Sequence, residues 1–271
     1  MSKILTFYFF KVILVSSLFT TGLNTFAQSL EVGAMAGLSN YLGDMAPTPV
    51  LKETKFASGV FARLNLSSSF AWTNGINFAQ VSGNDNNFSA NQYRNLNFKS
   101  NIYELSSVLE FNYFKYGVGV LDNRFTSYLF AGICVFNFNP QASYNGQTYN
   151  LRDYQTEGVN YSPFAMGIPF GIGCKWILNK NINFEWQFGF RKTFTDYLDD
   201  VSGDYPNLTD QIKKSQTAAM LSDPSYLKNG GPMVNRNGYK RGNSDFTDWY
   251  MIGGICITYR IYSKIKCARF Y

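Results

Sequence analysis

Between residues 182 and 191 the chain alternates without a break: Ile182, Phe184, Trp186, Phe188 and Phe190 are interleaved with Asn183, Glu185, Gln187, Gly189 and Arg191. A period of two belongs to a β-strand, whose successive side chains point to opposite faces. The aromatic face is too continuous to meet water, and the other face carries both signs of charge. A strand of this kind fits a closed sheet that is apolar outside and polar inside. The segment 249–261 repeats the pattern, with Trp249, Met251, Ile255, Ile257, Tyr259 and Ile261 set against Cys256, Thr258 and Arg260. In a third, Met166, Ile168, Phe170, Ile172, Cys174 and Trp176 point outward, leaving Gly167, Pro169, Gly171, Gly173 and Lys175 inside. Inward glycines suit the tight curvature of a narrow barrel.

Eight segments read as strands: 30–42, 57–67, 70–82, 98–112, 126–138, 164–178, 181–194 and 247–262. Most exceed the usual soluble strand of about 5 to 6 residues and match what crosses a bilayer at a tilt. Composition agrees, since 18% of the residues are aromatic and only 15% are charged, where soluble domains usually carry about 25% charge. A mean hydropathy of −0.17 is compatible with a transmembrane barrel, because its two faces cancel in any average. The expected fold class is all-β: an eight-stranded antiparallel transmembrane β-barrel with long extracellular loops.

The N-terminus carries Lys3 and Lys11, an apolar stretch over 12–19 and the small-residue pattern Thr25, Phe26, Ala27. This reads as a secretory signal peptide over 1–27, leaving a barrel over 28–271. The N-terminus is then periplasmic, and the connections after the odd-numbered strands fall outside the cell. They are the long ones, at 43–56, 83–97, 139–163 and 195–246. Residues 68–69 and 179–180 are tight turns, and 113–125 is intermediate. Within the longest loop, 208–221 is expected to be helical with Thr209 as N-cap. A periplasmic tail follows at 263–271.

Applied to every strand, the alternation sends Glu31, Glu104, Glu110 and Glu185 inside together with Arg63, Lys175, Arg191 and Arg260. The signs balance. A salt-bridged plug is the structural expectation, because a barrel this narrow fills with side chains and buried charges need partners. A charge-selective pore is the alternative.

Asp196, Asp199, Asp200 and Asp204 offer oxygen ligands to a calcium ion, although the spacing is not that of a known calcium loop. A solvated loop anchor is the alternative. Cys267 lies in the tail, in an oxidising compartment, and either forms an intermolecular disulfide or is inert. The other cysteines, Cys134, Cys174 and Cys256, fall in strands. The complete absence of histidine removes the commonest general base, so an enzyme is not expected. No cofactor, nucleic acid or small-molecule substrate is expected. The net charge of +6 is spread along the chain.

Several segments resemble the PorG-like outer-membrane proteins of the type IX secretion system of Bacteroidota. They are Ser39-Asn40-Tyr41-Leu42-Gly43-Asp44, Arg94-Asn95-Leu96-Asn97-Phe98-Lys99-Ser100 with Ile102-Tyr103-Glu104-Leu105, Phe138-Asn139-Pro140 and Ile168-Pro169-Phe170-Gly171-Ile172-Gly173. The most specific is the run from Arg191 to Ser202, RKTFTDYLDDVS. The resemblance implies an eight-stranded barrel in outer-membrane lipid, associated with a periplasmic ring built by a lipoprotein and further secretion components. It implies anchoring or assembly and brings no catalytic residues. The alternatives are a small transporter or porin-like barrel and a free-standing structural one.

Overall fold

A computed structural model describes residues 29–116, 123–144 and 146–261. The strands are β1 (Ser29–Leu42), β2 (Lys55–Asn65), β3 (Phe70–Asn84), β4 (Asn97–Asn112), β5 (Phe125–Tyr144), β6 (Gln147–Asn150), β7 (Phe164–Ile177), β8 (Ile182–Thr193) and β9 (Trp249–Ile261). Every pairing is antiparallel. The order is β1-β2-β3-β4-β5-β7-β8-β9, and β9 pairs back onto β1 with Leu30 opposite Ile261 and Leu42 opposite Trp249. Eight strands therefore close a barrel. Closure matters because it leaves the sheet without a free edge strand.

β6 lies outside the wall. β5 continues past the expected end at residue 138, and its upper part folds back as a short hairpin with β6. The helix α1 (Leu151–Tyr154) follows. The sequence reading placed this segment in a loop because alternation fades where the sheet leaves the apolar layer.

Side chains turn the tight connections. Ser67 Oγ accepts from the backbone N–H groups of Ser69 and Phe70, and Asn179 Oδ1 accepts from those of Asn181 and Ile182. Such local acceptors compete with the ladder and bend the chain. One ladder is interrupted: between the pairs Ala131–Phe170 and Cys134–Gly167, Gly132 and Ile133 have no partner on β7. Pro169 lies opposite and has no N–H to donate.

The expected single helix over 208–221 is instead two, α2 (Leu208–Lys214) and α3 (Gln216–Ser222), followed by α4 (Ser225–Asn229). Ser215 breaks the helix with an extended backbone, and its side chain accepts from Ala218 N to start α3. Asn207, not Thr209, caps α2, because Asn207 Oδ1 accepts from Thr209 N. Among the described residues no helix is long and apolar enough to cross a membrane.

The outward face is apolar and exposed. Ile76, Ile133 and Ile257 are 63%, 62% and 62% exposed. The inward face holds Phe136, Phe138, Ile102, Tyr250 and Ile252 with the charged residues, all buried. Inward glycines give two further lumen rings, Tyr128 and Phe130, their space. A Cβ on Gly173 would lie 2.5 Å from the Tyr128 ring, and one on Gly189 would lie 2.5 Å from the Phe130 ring.

Candidate functional site: the filled lumen and the loop cap

All eight charges assigned to the lumen are buried there, in two groups. The lower group centres on Arg63, whose fork closes on Glu185, Nη1 to Oε1 at 2.5 Å and Nη2 to Oε2 at 2.8 Å. The same guanidinium reaches Glu31 Oε2 at 3.0 Å and Glu110 Oε1 at 3.1 Å. Glu110 also accepts from Lys175 Nζ at 2.5 Å and from the Thr73 hydroxyl. Arg260 Nε and Asn183 Nδ2 both donate to Glu31 Oε1, at 2.9 and 3.2 Å, and the Thr258 hydroxyl joins Arg63 on Glu185 Oε1. Lys175 sits 4.3 Å from the centre of the Tyr128 ring. Charges this deep are tolerated only when paired and fully hydrogen-bonded, and here each carboxylate meets a cation.

The upper group is smaller. Glu104 accepts from Arg191 Nε at 3.2 Å, Tyr250 Oη at 2.6 Å and Asn77 Nδ2 at 2.6 Å. Between the groups lies a cavity of about 40 Å³ touching Arg63, Asn77, Glu110, Phe130, Pro169 and Arg191, room for a water or so.

Above the lumen the long loops form an ordered cap. Arg94 holds Asp85 through Nε and Nη2 at 3.1 and 2.7 Å, and donates to the carbonyls of Arg241 and Asp44. Arg241 is itself 1% exposed; it donates to Glu157 Oε1 at 3.0 Å and to the carbonyls of Asp200 and Ser222. Glu157 accepts in turn from the backbone N–H groups of Ser202 and Gly203. These contacts join the loop after β3, the segment after α1 and the long loop after β8 into one body. Tyr161, stacked on Tyr197 with ring centres 4.5 Å apart, donates to Asp200.

The four aspartates nominated as ion ligands are sent to different partners. Asp199 Oδ2 accepts from Tyr41 Oη at 2.6 Å and Oδ1 from Val201 N at 2.9 Å. Asp200, in a left-handed backbone conformation with φ of 68°, is bound by Thr156, Tyr161 and Arg241. Asp204 lies at the surface beside Lys240. Neither carboxylate oxygen of Asp196 has a hydrogen-bond partner among the described residues. Among those residues no group of His, Cys, Asp or Glu is arranged to hold a metal ion. Cys267, the expected tail over 263–271 and the expected signal peptide over 1–27 lie outside the described residues. Cys134 and Cys256 are buried in the lumen, and Cys174 is half-buried.

The sequence reading missed Tyr41, Asp44, Asp85, Arg94, Glu157, Arg241 and Asp248 as cap residues. Tyr41 Oη touches Asp248 Oδ1 at 2.7 Å as well as Asp199, and Asp248 Oδ2 accepts from Leu198 N. A signal for part of this was present: the quoted segments containing Tyr41, Asp44, Arg94, Asp196, Asp199 and Asp200 meet at this mouth. Among the described residues, the carboxylates Asp44, Asp85, Glu157, Asp196, Asp199, Asp200 and Asp248 find ion-pair partners in the guanidiniums of Arg94 and Arg241 alone.

Protons answer part of this excess. One phenol hydrogen cannot serve two carboxylates, so the short contacts from Tyr41 to both Asp199 and Asp248 require a proton on one acid. Burial raises both acids well above the ordinary carboxylate range; the charge of Asp248 adds to the rise at Asp199, and that of Asp196 to the rise at Asp248. Burial also pushes Asp196 up to about 7 and Asp200 to about 6, the latter against the pull of Arg241.

A closed eight-stranded antiparallel barrel, apolar outside, filled by paired charges and capped at its long-loop end, is an outer-membrane-type β-barrel. The chain belongs to the family described as a domain of unknown function, DUF6089, which matches residues 7–235. No curated protein matches it by sequence. Similar solved structures include Neisserial surface protein A, at 8% identity and a TM-score of 0.42 over 86% of this chain and 97% of that one. Ail, the attachment invasion locus protein of Yersinia pestis, is 10% identical with a TM-score of 0.41 over 87% and 100% of the two chains. The N-terminal barrel of Pseudomonas aeruginosa OprF is 10% identical with a TM-score of 0.36 over 86% and 97%.

Proposed function

We propose that the protein is a non-enzymatic barrel of the outer membrane that anchors or assembles the periplasmic ring of a type IX secretion machine. The observation that carries this reading is the filled lumen. Two layers of hydrogen-bonded charge leave a space of about 40 Å³ between them, which suits a scaffold and not a conduit. Membrane embedding is supported by the outward face. On β4 the outward apolar residues run from Tyr103 to Phe111, about 20 Å along the membrane normal at the usual strand rise and tilt.

The secretion role is supported by the PorG-like segments, whose most specific run, 191–202, carries the upper lumen arginine and the Asp199 and Asp200 contacts of the cap. The ring lipoprotein and its associated components are the partners this reading names, with the short turns on the opposite end as the surface facing them. Deleting the gene is expected to abolish export of many cargo proteins together. A normal secretome in the deletion strain would overturn the role. Purified barrel in planar bilayers is expected to show no discrete conductance; steady single-channel steps would instead favour a transporter.

A further inference from the structure

The outward face is uneven. Across β7 and β8 its central residues are large and apolar, Phe170 and Ile172, Trp186 and Phe188, and β9 adds Ile255 and Ile257 beside Gly253, which lies under the Phe188 ring. Across β2, β3 and β4 the same height holds Ala62, Asn74 and Ser107, which are direct cross-strand neighbours. Asn74 is exposed. Apolar residues lie on both sides of it along β3, Phe70 and Trp72 toward one end and Ile76 and Phe78 toward the other. Leu105 and Leu109 bracket Ser107 on β4. Ser107 is served by the Trp72 indole N–H at 2.9 Å, whereas the Asn74 carboxamide makes no side-chain hydrogen bond among the described residues.

A bare carboxamide in the middle of an apolar layer is costly, because hydrocarbon offers neither donor nor acceptor. Small neighbours such as Ala62 and Ser107 let another surface approach closely. A carboxamide carries one acceptor and a pair of donors, so its hydrogen-bonding pattern is complementary to its own copy across a two-fold axis. Barrels inserted in the same direction place that axis along the membrane normal, and two Asn74 side chains then meet at equal depth.

We propose that the β2–β4 face is a lateral interface between two copies of this chain in the membrane, closed by an Asn74–Asn74 amide pair. This rests on the membrane reading above. The test uses the full chain in isolated outer membranes, with Cys174→Ser and Cys267→Ser to silence reactive thiols. A reporter Ile76→Cys keeps Asn74, lies one outward step above it, and is expected to give an oxidised dimer. Ile255→Cys on the opposite face is expected to give none. Adding Asn74→Leu is expected to lower the Ile76→Cys dimer by about tenfold, while the heat-modifiable gel mobility of a folded barrel stays unchanged. If Ile76→Cys itself fails to fold, Ala62→Cys serves as the reporter. Equal dimer with and without Asn74, no dimer, or an adduct with a different protein would overturn the proposal. Loss of the wild-type chain from the carbonate-resistant membrane fraction would instead break the membrane reading.

Discussion

The lumen and the cap both bury charge, and they do it by opposite rules. In the lumen every carboxylate faces a cation within hydrogen-bonding distance: Glu31, Glu110 and Glu185 meet Arg63, Lys175 and Arg260, and Glu104 meets Arg191. In the cap the acids exceed the cations, and Asp199 and Asp248 share a phenol and a proton instead of an arginine. The first arrangement is neutral only while its carboxylates are ionised. The second is comfortable only while some of its carboxylates are not. A closed lumen packed with side chains has no water to dilute an imbalance, whereas the loops at its mouth exchange protons with solvent, so the difference follows from where each region sits.

The largest expected effect comes from the centre of the lumen. Arg63→Met removes the cation common to Glu31, Glu110 and Glu185 and is expected to cost about 3 to 5 kcal/mol, as for other buried pairs broken on one side. Urea titration of the refolded barrel in vesicles measures it, and a loss below 1 kcal/mol would show that the network is not a unit. Next is Arg241→Met, which leaves Glu157 and Asp200 without their guanidinium. It is expected to expose residues 195–248 to protease while the folded barrel keeps its gel mobility; loss of the whole barrel would mean that cap and lumen fold together.

A smaller effect separates the two rules directly. Asp248→Asn imitates the protonated acid, so at neutral pH the cap is expected to change by no more than about 1 kcal/mol. Its loosening at alkaline pH, read by protease sensitivity of the long loop, is expected to diminish. The smallest effect is Asp196→Asn. It removes a carboxylate whose oxygens lack partners and is expected to stabilise the cap by a few tenths of a kcal/mol at pH 8, with no change at pH 5, where the acid is already mostly protonated.

Much of the barrel was legible in the sequence because a period of two, enforced by lipid on one side and a narrow lumen on the other, leaves each strand residue little choice. Glu185 and Arg191 were sent inside by the same rule that sent Trp186 outward. The upper half of β5 with β6 was not legible, since above the apolar layer neither face is fixed by solvent. The cap was the least legible. Arg241 lies far along the chain from Arg94 and Glu157, and no local spacing announces that they meet. Tyr41 looked like one more outward or inward aromatic at a strand end, and only the closed barrel brings it between Asp199 and Asp248. The split of α2 from α3 at Ser215 was missed because Ser caps a helix as readily as it sits within one.

The measurement that tests these opposite rules most directly is hydrogen exchange of the refolded barrel across pH 5 to 9, corrected for intrinsic rates. The cap acids have raised pKa values in the folded state, so their contribution to stability is fully present below the ordinary carboxylate range near pH 4 and is lost as pH rises through about 6 to 7 and beyond. Protection of amides in residues 195–248 is therefore expected to fall with rising pH, while amides of β1, β2 and β8 around Arg63 stay protected. Cap protection that is flat across the range, or that rises with pH, would contradict the account.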